Sequence, residues 1–201
     1  MPNPVRPIPE GYHSLTPQLT CRNAARAIDF YKNVFGATEV TRMAGPDGKI
    51  MHAELKIGDS RLMVNDEFPG IAVAPNPAAV HSSSLFLYLE DVDSVYKRAV
   101  AASSRIDMPL NNMFWGDRYG KITDPFGHQW GLATHVEDVA PEEMKRRSAA
   151  EMAKMAKAAR AKPILGTSGR GPTPIEPGAG PSSFSPTAKA IRGRSLASKA
   201  G

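Results

Sequence analysis

From Leu15 to Asp66 the spacing of apolar residues changes period twice. Leu15, Pro17, Leu19 and Cys21 alternate with Thr16, Gln18 and Thr20, the two-residue period of a half-buried strand. Behind Asn23, a residue suited to capping a helix, Ala24, Ala27, Ile28, Tyr31, Val34 and Phe35 recur at helical spacing until Gly36 supplies a stop. Alternation then resumes from Thr38 to Asp66. The turn signals Gly45-Pro46-Asp47-Gly48 and Gly58-Asp59 cut that run into three strands. The order is strand, helix, three strands.

A Pro- and Ala-rich stretch, GIAVAPNPAAVHSS, reads as a linker, and the same plan restarts behind it. SLFLYL puts Leu85, Leu87 and Leu89 on one face of a strand. A helix from Asp91 to Ala102 follows, with Val92, Val95, Tyr96, Ala99 and Val100 on its apolar side, and three short strands end near His135. YKNVFGA in the first helix is echoed by YKRAVAA in the second, about 65 residues on. The pattern predicts an α+β fold of two βαβββ modules, residues 14–67 and 82–137, which pair because each sheet alone leaves one face uncovered. Residues 1–13 read as an extended arm, 138–161 as an amphipathic helix, and 162–201, dominated by Gly, Pro, Ser and Ala, as a disordered basic tail.

Composition narrows the function classes. The 201 residues, 41% of them hydrophobic, suit one domain of ordinary size with an appendage. The formal charge of +5 is unevenly spread: 13 basic against 16 acidic residues up to Asp138 give −3, and 12 against 4 beyond it give +8. Basicity therefore belongs to the tail, where weak, salt-sensitive contact with nucleic acid or an anionic surface is the partner it suits. GTSGRG at Gly166 to Gly171 lacks the strand and helix that would make it a phosphate loop. One cysteine, Cys21, can form neither an internal disulfide nor a thiolate zinc centre, and a cytoplasmic setting is expected. No apolar run is long enough to cross a bilayer.

AIDFYKNVFGA behind a polar strand, the late DPFGHQWGLATH strand and the repeated βαβββ plan resemble the glyoxalase and bleomycin-resistance (vicinal-oxygen-chelate) superfamily over residues 12–137. MFWGDRYGKITDPFGHQWGLATH is most similar to its PhnB-like branch. The resemblance implies two curved sheets forming a cleft, a homodimer, and, in metal-dependent members, ligands of the His or Gln, Glu, His and Glu type on the first and last strand of each module. Aligned on the shared segments, those positions are Thr16, Met63, Ser84 and Gly131. None is a usual metal ligand, so no cofactor is expected, and a divalent metal finds no support at the usual positions.

If the leucines and Ile57 face the helices, alternation turns Thr16, Gln18, His52, Glu54, Lys56, Met63, Ser84, Phe86, Tyr88, Trp115, Asp117, Tyr119, Lys121 and Gln129 into the cleft. Aromatic surface mixed with hydrogen-bonding groups suits a small, partly aromatic ligand, with Gln18, Phe86, Tyr88, Trp115, Asp117, Tyr119 and Lys121 as its contacts. Trp115-Gly116-Asp117-Arg118-Tyr119 combines rings, a flexible glycine and a carboxylate, as a clamp requires; packing and a surface ion pair are the plainer account. His52 and Glu54, two apart on one strand, are the candidate catalytic pair, against the alternative of an ordinary polar sheet face. His128 and Cys21 fall on the helix side and read as structural.

Three functions follow as expectations. The first is a metal-independent small-molecule-binding protein. The second is a lyase, isomerase or dioxygenase using His52 and Glu54, with Asp117, as acid and base or around a divalent metal. The third is an interaction module working through the 141–160 helix and the basic tail.

Overall fold

The computed structural model describes residues 5–76, 78 and 82–161; the tail expected at 162–201 lies outside them. Two modules repeat one plan. The first runs β1 (Gln18–Cys21), α1 (Ala24–Phe35), β2 (Thr38–Ala44), β3 (Ile50–Ile57) and β4 (Ser60–Asp66). The second runs β5 (Leu85–Tyr88), α2 (Val92–Ala101), β6 (Arg105–Asn112), β7 (Asp117–Thr123) and β8 (Gln129–His135), and α3 (Pro141–Ala161) follows. The sheets have equivalent orders, β1-β4-β3-β2 and β5-β8-β7-β6, with β1 parallel to β4 and β5 parallel to β8.

Local chemistry sets the element ends. The Asn23 side chain accepts from the Arg26 amide at 3.0 Å, and Asp91 accepts from that of Ser94 at 3.0 Å, so both helices begin on a side-chain cap. Gly36 closes α1 in the left-handed region at φ 71°, a conformation cheap only for glycine. Pro141 opens α3, whose first turn carries Glu142 and Glu143 where the helix dipole favours acids. Arg147 joins α3 to the chain after β8 through two contacts with Glu137, at 2.7 and 2.8 Å.

The core lies where the helices cover the sheets. Leu19, Leu55, Ile57, Leu62 and Val64 of the first sheet are buried against α1 residues such as Ile28 and Tyr31. Each fully buried side chain of this kind stabilises the fold by about 1.5–3 kcal/mol. The modules meet through α1 and α2, where Arg98 donates to the Val34 carbonyl at 3.0 and 3.2 Å. They meet again through the turn before β8. Buried Asp124 accepts from Tyr31 Oη at 2.8 Å and Trp130 Nε1 at 2.9 Å, while the Trp130 ring sits 4.7 Å from that of Phe35. The second module's last hairpin is thus fastened into the first module's helix. The edge strands β1 and β5 belong to separate sheets, and the opening beside them positions the site.

Candidate ligand-binding cleft

Strand register places those expected residues that lie on strands on the sheet faces turned away from the helices; Thr16, Ser84 and Trp115 precede β1, β5 and β7. In the first sheet one row across the strands reads Thr41, Glu54, Met63, Gln18, and the next contains Met43 and His52, then Asn65 and Thr20. In the second sheet Phe86 lies beside Gly131, which lies beside Lys121; Tyr88 lies beside Ala133, which lies beside Tyr119; and Asp117 lies opposite His135. Gln129, on the same face, donates to Asp107 at 3.1 Å.

Asp117 is the hub of the second wall. It is 3% exposed, and its carboxylate accepts from Trp115 Nε1 at 2.9 Å and Tyr88 Oη at 3.2 Å while its other oxygen lies 2.8 Å from His135 Nδ1. Burying a carboxylate is costly unless its lone pairs are taken, and donors from β5, from β8 and from the turn before β7 take them here. Phe86 stacks on Tyr119 with centroids 5.5 Å apart and planes within 6°, and Tyr88 and Trp115 lean on this pair. Four rings therefore surround one carboxylate. Burial first, then the neighbouring Asp117, pushes the Tyr88 hydroxyl above its ordinary pKa, so it stays a hydrogen-bond donor. Gly116 makes the turn: at φ 99° it is in the left-handed region, and any Cβ would overlap the Glu137 carbonyl oxygen.

The sequence reading missed His135. Its second ring nitrogen, Nε2, lies 2.9 Å from Asp138, and the hydrogen bond to Asp117, then that to Asp138, raises its pKa. It was legible in principle, because Gln129, Gly131, Ala133 and His135 share one strand face.

In the first wall His52 Nε2 and Glu54 Oε1 are 3.2 Å apart, so the expected pair is in contact. Among the described residues no hydrogen bond joins it to the Asp117 cluster. The Tyr12 hydroxyl is the largest influence holding Glu54 below its ordinary pKa, ahead of His52 and Arg61. That hydroxyl is buried and approaches the carboxylate without reaching full hydrogen-bond geometry. Gln18 donates to Asn65 at 2.9 Å, and Asn65 donates to Thr20. Asn65 and Arg61 were also missed, although they share the parity of Met63 on β4.

The positions implied for a metal fare differently. Thr16 and Ser84 precede β1 and β5, and Thr16 spends its hydroxyl on the His13 carbonyl. The residues beside Met63 and Gly131 are instead Gln18 and Phe86. Of these four only the Gln18 amide is a ligand of the implied type, and a thioether, a phenyl ring and a glycine at the other three positions do not fit a divalent ion. At Gly131 a Cβ would stand 3.0 Å from both Phe86 and Tyr119, so the aromatic stack occupies the space that a ligating side chain needs. On the helix side, Cys21 has its thiol pushed up to about 12, chiefly by burial and then by Asp124, and His128 reaches the Thr20 carbonyl at 3.1 Å. Both serve the junction between modules.

At the junction a cavity of about 510 Å3 opens between the start of β1, the start of β4 and β5. Leu19, Leu62, Leu85 and Trp130 form its apolar floor, Thr16, Gln18 and Arg61 its polar side, and Phe86 is shared with the aromatic wall.

The family model described as Glyoxalase/Bleomycin resistance protein/Dioxygenase superfamily matches residues 13–132. An uncharacterized protein of Mycobacterium bovis is 39% identical over 136 residues, 66% of this chain and 90% of that protein. The crystal structure of TioX from Micromonospora is matched over 62% of this chain and 99% of its own, with 29% identity and a TM-score of 0.50. Protein PA1353 from Pseudomonas aeruginosa shares the fold over 62% of this chain and 99% of its own, with 24% identity and a TM-score of 0.54. With the family model spanning more than half of the 201 residues over the two modules just described, the chain belongs to the glyoxalase, bleomycin resistance protein and dioxygenase superfamily.

Proposed function

We propose that this protein binds a small, partly aromatic molecule without a metal ion. One observation carries the reading: four rings, Phe86, Tyr88, Trp115 and Tyr119, are organised around the buried Asp117 carboxylate beside a cavity of about 510 Å3. That volume lies within the roughly 300–1,000 Å3 of small-molecule sites, which join apolar lining to a few placed polar groups. Metal independence is supported by the donor set, since neither Met63, Gly131 nor the adjoining Phe86 supplies an oxygen or nitrogen where a family ligand would stand. A second copy of the chain is part of the proposal, because Phe86 and Tyr88 are 51% and 61% exposed on the cleft wall.

The test is a calorimetric titration with 2-naphthamide, a neutral planar probe, before and after treatment with EDTA. Binding that EDTA leaves unchanged supports the reading. Binding that EDTA abolishes and Mn2+ or Zn2+ restores would overturn metal independence.

The 3.2 Å His52–Glu54 contact favours a second reading, acid–base catalysis on the bound molecule. Turnover abolished by His52→Ala, with folding and 2-naphthamide affinity retained, would establish it.

A further inference from the structure

Arg61 lines the junction cavity in an unusual state. Its guanidinium is held in place: the carbon lies 5.5 Å over the Tyr12 ring, and a Cβ on Gly11 would come within 3.1 Å of Nη2, so the arm packs closely on it. Its Nη1 is buried and has no hydrogen-bond partner. A buried charged donor left unmatched costs stability, and a guanidinium always carries its charge. Its cross-strand neighbour on the same face is Lys56, so two cations lie side by side, and neither is within ion-pair distance of a carboxylate among the described residues. The cavity lining contains no acidic residue. Glu54 feels the Arg61 charge, but it is engaged with His52 and Tyr12.

We infer that the cavity is built for the carboxylate of an apolar organic acid, with Arg61 as its anion anchor and Leu19, Leu62, Leu85 and Phe86 against its hydrocarbon body. The inference rests on the aromatic-ligand reading and names the ligand's charge and orientation. The planar fork of arginine matches a carboxylate with parallel N–H donors, and a guanidinium already fixed by Gly11 and Tyr12 loses little freedom on binding. Gln18 lines the same side, and the second N–H of its side-chain amide, beyond the one given to Asn65, can meet a remaining lone pair. Lys56 raises the local positive potential without having to touch the ligand.

The experiment compares 2-naphthoate with 2-naphthamide, similar in shape but different in charge, by calorimetry on the full chain. A charge-assisted pair makes naphthoate tighter by about ten- to a hundredfold in the wild type. Arg61→Met removes that preference, so that the two probes bind alike, while Arg61→Lys, which keeps the charge without the fork, retains part of it. A cooperative thermal transition and a wild-type circular dichroism spectrum show that each variant is folded. Equal affinities in the wild type, or a preference that survives Arg61→Met, would overturn the inference while leaving the aromatic site intact. If neither probe binds, the aromatic-ligand reading fails and this inference fails with it.

Discussion

At the scale of residues, Asp117 decides how the second wall behaves. Asp117→Ala strips Trp115, Tyr88 and His135 of a common acceptor at a site only 3% exposed. Urea denaturation should show a loss of about 1.5–3 kcal/mol, with weaker 2-naphthamide binding, because the rings lose their fixed orientation. Asp117→Asn is more discriminating. Its amide oxygen can still accept from Trp115 and Tyr88, but its nitrogen can only donate to His135, which suits the neutral imidazole. In the wild type the hydrogen bonds to Asp117 and Asp138 raise the His135 pKa in the folded state. A raised folded value contributes stability that is full below the unfolded value, about 6.5, and disappears as the pH rises through the folded value. Wild type should therefore exceed Asp117→Asn in urea midpoint at about pH 5.5, and the gap should close by about pH 9. A gap that is constant with pH would remove His135 from the account.

At the scale of elements, glycines decide where walls can approach. Gly116→Ala forces a Cβ into the Glu137 carbonyl from a left-handed backbone, so it should cost at least about 1–3 kcal/mol and lower the thermal midpoint by several degrees. Gly131→Glu restores the residue type that the family uses to hold metal, but its side chain must displace the Phe86–Tyr119 stack. The expected result is lost naphthamide affinity with no gain of bound Mn2+ by elemental analysis; tight stoichiometric Mn2+ would show that the stack yields and that the missing donor alone keeps a metal out. The same scale shows what was legible. Alternation and the repeated helix spacing set out both βαβββ modules, because a half-buried strand and an amphipathic helix write their periods directly into the chain. Alternation also put Trp115, Asp117 and Tyr119 on one face. It could not show that Asp117 gathers Tyr88 from β5 and His135 from β8, since such contacts depend on register between strands far apart in sequence. Nor could it show Tyr12 over Arg61, because the Pro-rich arm has no periodic pattern to read. The aligned positions Thr16 and Ser84 stand outside the strands for a related reason: neighbours across a sheet are fixed by hydrogen-bond register, which places Gln18 and Phe86 there.

At the scale of the whole molecule, the cleft walls are more apolar than a lone chain in water favours. Phe86 and Tyr88 stand half exposed on the second sheet, and by register Met108 shares their face while Met43 shares that of His52 on the first. Exposed apolar surface on both walls has a simple resolution if a second copy closes over it, since two copies of one patch make a closed, self-limiting pair. Light scattering on the purified chain should therefore give twice the chain mass, and Met108→Glu, which places a charge in that patch without touching the Asp117 cluster, should shift the population toward the monomer. No helix among the described residues is long and apolar enough to cross a membrane. Every residue assigned to either wall lies between Tyr12 and Asp138, ahead of the segment where the positive charge is concentrated. A chain ending at residue 161 should accordingly keep both the dimer mass and the wild-type naphthoate affinity. Loss of dimer mass on truncation would move the contact to the basic segment and favour the interaction-module reading; a monomer at every concentration, with binding intact, would mean that each chain completes its own cleft.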